Sequence, residues 1–421
     1  MTDGTTAHSD ENPADGTPAG SAARRPLRIL IGADTFPPDI NGSATFARQL
    51  AAGLAGRGHA VEVVAPSPDN GWGVRREEHG GITLRVHRLL SWRWFPHPWL
   101  RFALPWRIKA NARRIIAQFH PDVVHFQSHI VVGQGLAPAA KERGIRLVGT
   151  NHTMPENITQ HVQILPPPAL RWLVKQQWAS AAKWFGMADA VTAPTQRSAD
   201  YFDRNTGLKN TIAISNGISL EKYTADLGPR DENLIVFLGR LDDEKNIDEL
   251  VKAVARLDPA LDAKAVIMGH GDQKTKLEHL IQELGLQDRV RLAGKVSYDE
   301  LRQTLTRAKV FAMPSVAELQ SITTLEAMAS GQPIVAANAM ALPHLVEEGV
   351  NGYLFEPGDI DGFAARLTDV LTAPEHELHA MREASLRLVA VHDVEHTLDI
   401  FEALYRGEPL PPAPAPEPRT V

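Results

Sequence analysis

Short β-branched apolar runs alternate with helical patterns along most of this chain, and that alternation constrains the fold more than any other feature. In the first half the strand candidates are LRILIGAD (27–34), AVEVVAP (60–66), ITLRVHRL (82–89), DVVHFQS (122–128), RLVGTNH (146–152), AVTAPT (190–195) and TIAISNG (211–217). In the second they are LIVFLGRL (234–241), AKAVIMG (263–269), RVRLAG (289–294), VFAMPS (310–315), PIVAAN (333–338) and GYLF (352–355). Parallel neighbours need a crossover, so strands separated by helices imply βαβ units and parallel sheets. The segment GISLEKYTADLGPRDEN (217–233) has no clear period and carries Gly, Pro and charge, which places a boundary there. The expectation is an α/β protein with two doubly wound parallel-sheet domains, 25–216 and 217–392, whose strand ends face each other across a cleft. A last helix over 393–406, apolar at Val394, Leu398, Phe401 and Leu404, is a candidate to cross back to the first domain. Residues 1–24 and 407–421 are Pro-, Gly- and Ser-rich tails with too little apolar surface to repay ordering, and they are expected to be disordered.

A chain of 421 residues with 43% hydrophobic content has ample core for two domains of roughly 150–200 residues. Zero cysteines exclude disulfides, cysteine nucleophiles and thiolate metal sites. No apolar run reaches the roughly 18 residues of a spanning helix, and the polar, acidic N-terminus lacks a signal-peptide pattern. Cytoplasmic residence with at most peripheral membrane contact is expected. The net charge of -6 is unevenly spread: residues 24–215 hold 24 basic and 12 acidic side chains, residues 216–421 hold 20 and 34. Such polarity can steer the basic half toward an anionic surface.

Chemistry concentrates in two places of the second half. Arg240 follows Gly239 at the carboxyl end of LIVFLGRL, and Lys245 follows in the loop DDEKN. Further on, Glu318 and Glu326 in ELQSITTLE straddle the start of an expected helix near Ser321. Free N–H groups of Ser321, Ile322 and Thr323 and the positive dipole end suit a diphosphate, while flanking carboxylates suit sugar hydroxyls. Two cations aimed at a departing diphosphate stabilise its charge without a metal. The pattern reads as a nucleotide-sugar enzyme, with no metal or other cofactor expected. The strings HDVEH (392–396) and GDIDGF (358–363) resemble metal motifs, but the first lacks a third ligand nearby and the second reads better as a helix start.

The segment DTFPPDINGSATFARQLAAGLAGRGHAVEVVAP, the turn SNGI, GRLDDEKN, GHGD, LAGKVS and VAELQSITTLEAMASGQPIVA followed by LVEEGVNGYLFEPGD together resemble the retaining GT-B glycosyltransferases of family 4, over about residues 27–405. The resemblance implies that Arg240 and Lys245 grip the diphosphate, Glu326 holds the ribose and Glu318 holds hydroxyls of the donor sugar. It implies that backbone from Gln320 through Ser321 and Ile322 to Thr323 meets phosphate and sugar, that Val296 lies against the base, and that Gly42 lets the backbone approach the phosphates. Where many relatives have two adjacent glycines, this chain has Gly42 and Ser43. Many relatives carry a histidine two residues after the position of His125; here Gln127 stands there and His129 follows, so the place near the reacting carbon belongs to either. His152 is a candidate for the acceptor cleft. Retention with attack from the face the diphosphate leaves, the departing oxygen taking the proton, is what the resemblance implies for mechanism.

The segment SWRWFPHPWLRFALPWRIKANARR (91–114) interleaves Trp92, Trp94, Phe95, Trp99, Phe102 and Trp106 with Arg93, Arg101, Arg107, Lys109, Arg113 and Arg114. Tryptophan with arginine favours a bilayer interface with anionic headgroups, the alternative being an ordinary packed stripe. Trp172, Trp178 and Trp184 repeat the choice. No nucleic-acid motif accompanies the basic charge. NGSA and ELQS look closest to the branch acting on diacylglycerol glycolipids and phosphatidylinositol mannosides. The function expected is transfer of a hexose, mannose from GDP-mannose ahead of glucose from UDP-glucose, to a membrane glycolipid at the cytoplasmic face. Transfer to a small soluble acceptor such as an inositol phosphate, and nucleotide-sugar binding without turnover, are the alternatives.

Overall fold

A computed structural model describes residues 25–39, 41–93, 101–156 and 166–412. Trp94 and Trp99, residues 1–24 and most of the closing Pro-rich segment lie outside them.

The first half builds an eight-stranded sheet in the order Ile212–Ala213, Ala190–Ala193, Arg146–Thr150, Val123–Phe126, Arg28–Gly32, Ala60–Pro66, Ile82–Leu89 and Gly73–His79. All its pairings are parallel except the last. The antiparallel edge strand GVRREEH departs from the expected all-parallel sheet. Its side chains are mostly exposed or half-buried, so it carries little apolar signal, and it pairs only with Ile82–Leu89. A short hairpin, Ser91–Arg93 with Arg101–Ala103, is likewise unforeseen. The second half builds a six-stranded parallel sheet ordered Val290–Gly294, Lys264–Met268, Leu234–Leu238, Val310–Met313, Ile334–Ala337 and Gly352–Phe355. Strands buried on both faces read as continuous apolar runs, which is why these were visible in the sequence.

Two apolar clusters cover the faces of the first sheet. One, around Leu30, Val64 and Val124, packs beneath the helices Pro105–Phe119, Val132–Lys141 and Pro167–Phe185. The other, around Ile29, Ile31 and Val63, takes in Phe46 and Leu50 of the helix Gly42–Gly56 together with Leu398, Phe401 and Tyr405 of the last helix, Val394–Arg406. The chain therefore returns from the second sheet to finish on the first. Arg57 fastens it there, its guanidinium reaching Glu395 at 2.6 Å, Asp399 at 2.8 Å and Glu402 at 2.9 Å. The crossing point is stitched by Ile218 N–H to His392 O and Val394 N–H to Ile218 O, both 2.9 Å. Gly217, at φ 69°, is forced by this closeness: a Cβ there would lie 2.7 Å from Thr397 Oγ1 and 2.8 Å from Val394 Cα.

Candidate functional site

The sheets meet at the carboxyl ends of their strands. Leu234–Leu238 runs into the loop carrying Arg240 and Lys245, and Val310–Met313 runs into the loop carrying Ser315 and Glu318. These loops are tied together, since Glu244 O accepts from Val316 N–H at 3.0 Å and from Ser315 Oγ at 3.3 Å. Lys245 Nζ consequently lies 2.6 Å from Glu318 Oε1 and 3.5 Å from Ser315 Oγ, with both charged side chains only 12% exposed. Arg240 pairs with Asp242 and, at 2.9 Å, with Glu244. Both cations are thus held by carboxylates, and an incoming diphosphate would have to compete with them.

The helix after Glu318 runs Ile322–Ala329 with Ser321 at its N-cap, as the sequence suggested, and Ser321 makes no side-chain capping bond. Its first N–H groups are left for another acceptor. Opposite stands the start of the helix Gly42–Gly56, capped by the Asn41 side chain on Ala44 N–H at 2.8 Å. A Cβ added to Gly42 would sit 3.7 Å from Ile322 Cδ1, an ordinary contact, so nothing within the protein itself demands glycine there. Two helix N-termini therefore converge across the cleft, one from each sheet, and their dipoles add for an anion between them.

Glu326 lies one turn into the second of these helices. Tyr223 Oη donates to its Oε1 at 2.6 Å, and burial pushes its pKa up to about 7 against that hydrogen bond. Val296, half-buried, packs against the second core in the loop before the helix Tyr298–Arg307. Gln320 spends its side chain on the linker: Oε1 accepts from Asn216 N–H at 2.8 Å and Nε2 donates to Ser215 Oγ at 2.9 Å. Only its backbone remains for a ligand. His392 also bonds Ser215 Oγ, at 2.9 Å, and Asp359 accepts from Gly362 N–H as a helix cap. Among the described residues no group of three or more His, Asp or Glu side chains is arranged to hold a metal ion.

On the first sheet, Gln127 follows the strand Val123–Phe126, its N–H donating to Gly32 O at 2.8 Å. Its side chain is fully buried, and neither amide atom has a partner among the described residues. His125 is structural, bonded to Tyr405 Oη and Thr150 Oγ1 at 2.7 Å each, and burial drops its pKa to about 3. His129 is 2% exposed, edge-on to Phe185, and burial drops its pKa to about 4. It is a neutral ring at neutral pH. His152 packs on Phe46 at 4.7 Å between ring centroids, and burial lowers its pKa to about 3.

The aromatic segment divides. Trp106 is 70% and Trp92 47% exposed, edge to face at 6.2 Å, with Trp72 67% exposed on the same domain. Arg93 is exposed beside Trp92, whereas Arg101 is turned into the hairpin, on Ser91 Oγ at 2.9 Å and Asn70 Oδ1 at 3.1 Å. Trp178 is core, as the packed-stripe alternative has it, and Trp172 is exposed. Tyr223, Ser215 and His392 were not foreseen as parts of the site. Tyr223 sits in an aperiodic linker with no motif, Ser215 opens the turn SNGI without its side chain having been given a role, and His392 lies far along the chain from the loop it bonds.

Residues 221–387 match the family described as glycosyl transferases group 1, and residues 40–222 match glycosyltransferase family 4. The D-inositol 3-phosphate glycosyltransferase of Mycolicibacterium smegmatis is 30% identical over 68% of this chain and 67% of its own. The chain belongs to these glycosyltransferases. The alpha-monoglucosyldiacylglycerol synthase of Streptococcus pneumoniae is 27% identical over 85% of this chain and 81% of that one. For the sulfoquinovosyl transferase of Arabidopsis thaliana the values are 29%, 71% and 58%, so the present glycosyltransferase spans little more than half that relative's length. Among solved structures, a sucrose-phosphate synthase of Thermosynechococcus elongatus superposes with a TM-score of 0.74 at 21% identity, covering 90% of this chain and 99% of its own. An Anabaena protein solved with UDP-glucose superposes at 0.68 and 20%, covering 90% and 100%. These likenesses place the enzyme in the GT-B fold.

Proposed function

We propose that this glycosyltransferase moves a hexose from a nucleoside diphosphate sugar to a membrane glycolipid, with retention and without a metal. The observation that carries the proposal is the pair of helix N-termini at Gly42 and Ile322, flanked by Lys245, Arg240 and Glu318 on one side and Glu326 on the other. The diphosphate lies between the N-termini, where Lys245 and Arg240 exchange their carboxylates for phosphate oxygens. Glu318, once released by Lys245, accepts from hydroxyls of the donor sugar, and Glu326 accepts from the ribose. Backbone from Gln320 to Thr323 meets the phosphates, and Val296 lies against the base. The leaving oxygen, stabilised by both cations, takes the proton of the attacking hydroxyl on the same face.

On the acceptor side Gln127 and His129 are both candidates for the reacting centre, since among the described residues neither the Gln127 amide nor the His129 ring nitrogens meet a hydrogen-bond partner at bonding distance. A polar group is tolerated without a partner at such depth when a ligand completes it. The names of the Streptococcus and Arabidopsis relatives support a glycolipid acceptor, and exposed Trp72, Trp92 and Trp106 near the basic helix Pro105–Phe119 support docking on an anionic cytoplasmic leaflet. GDP-mannose is the first donor to test, with UDP-glucose beside it. Incubation of each labelled donor with membrane lipid extract should give one labelled, alkali-sensitive or phospholipid-like product. Label appearing only in water-soluble inositol phosphate, as the Mycolicibacterium relative's name suggests, would replace the lipid acceptor. Tight donor binding with no product would replace the enzyme by a binder.

A further inference from the structure

Glu326 is held from a direction that the glutamate motif does not disclose. Tyr223 closes the short turn Leu220–Lys222 in the linker, its N–H donating to Leu220 O at 3.1 Å, and its ring packs on the core of the second domain. From there its hydroxyl donates to Glu326 Oε1 at 2.6 Å. Tyr298 and Arg302 of the helix Tyr298–Arg307, two and six residues beyond Val296, lie near enough to Tyr223 to act on it electrostatically. Among the described residues Tyr223 is the group that acts on the Glu326 carboxyl, apart from burial itself.

We infer that Tyr223 is a positioning residue for the nucleoside end of the donor site, holding Glu326 by one oxygen so that the other is left to accept from a ribose hydroxyl. This rests on the donor-site reading above. The hydrogen bond favours the ionised form, while burial favours the neutral form and drives the pKa toward 7. A neutral carboxyl has one oxygen committed as a donor and accepts less well from a hydroxyl pair. The linker, which also joins the two sheets, thereby sets both the aim and the charge of the group that meets the nucleoside.

The test is binding rather than turnover. The dissociation constants of UDP and GDP are measured by calorimetry over roughly pH 5.5 to 9 for the wild type, Tyr223→Phe and Glu326→Gln. The Glu326→Gln profile supplies the baseline for protonation of the diphosphate itself. Relative to it, wild-type affinity for the preferred nucleotide should fall as pH drops through about 7. Tyr223→Phe, which keeps the ring and loses the donor, should move that midpoint upward by about one unit and weaken binding about tenfold at neutral pH. Tyr223→His, which restores a donor, should bring part of the shift back. Should both Tyr223 variants keep the wild-type midpoint and affinity, with only thermal stability altered, Tyr223 is structural and the inference fails. Should Glu326→Gln bind as tightly as the wild type throughout, the donor-site reading itself fails.

Discussion

The charged residues of the cleft are stored in mutual pairs, and that arrangement has measurable costs. Glu326 sits in a folded environment where its pKa is near 7 rather than the usual 4.5. The unfolded chain releases that proton first as pH rises, so folding loses stability between about pH 4.5 and 7 and the loss is complete above that range. Glu326→Gln removes the ionisation and keeps an oxygen for the Tyr223 hydroxyl. Its unfolding free energy should exceed the wild-type value by roughly 1–3 kcal/mol at pH 8 and match it near pH 4, a comparison made by denaturant titration. Lys245, Glu318 and Glu326 were legible because a strand end, a short loop and a helix start follow one another in the sequence. The Tyr223 hydrogen bond and the lack of a partner for the Gln127 amide among the described residues were not legible as such, since hydrogen-bond pairing belongs to tertiary structure. The ion pairs of Arg240 with Asp242 and Glu244 show why charge read from a loop does not reveal which charges are free.

Among the elements, the last helix couples the two halves. Phe401 is fully buried, stacked near His125 at 5.3 Å and against Phe46 at 5.7 Å. Phe401→Ala should cost about 3–5 kcal/mol in equilibrium unfolding. Because Tyr405 on the same helix holds His125, two residues before Gln127 of the proposed acceptor side, donor turnover should fall more than nucleotide binding does. Gly217→Ala combines a positive φ with contact against Thr397 and Val394, and should lower the unfolding midpoint through a loss of about 1–3 kcal/mol. Apolar runs made the buried strands readable, and the helix starts near Ser321, Asp359 and Val394 were read as well, whereas the other helices were expected only as crossovers without bounds. The edge strand Gly73–His79 escaped because its pairing is set by its neighbour rather than by its own pattern.

At the scale of the molecule, the basic, tryptophan-bearing half and the acidic half divide the proposed work: one meets the lipid, the other the nucleotide. No helix among the described residues is long and apolar enough to cross a membrane; the proposed contact is through the exposed tryptophans and nearby cations. The combined substitution of Trp72, Trp92 and Trp106 by Ser should lower partitioning onto vesicles containing anionic phospholipid by tenfold or more and leave binding of the nucleoside diphosphate unchanged, as read by co-sedimentation and calorimetry. Donor activation in this enzyme is proposed to require that Lys245 leave Glu318 to meet a diphosphate held between the two helix N-termini. The direct measurement is the rate of labelled hexose transfer from donor to lipid by the wild type and Lys245→Ala side by side. The rate should fall on the order of a hundredfold with the unfolding midpoint preserved; a variant that folds and transfers at the wild-type rate would overturn this role for Lys245.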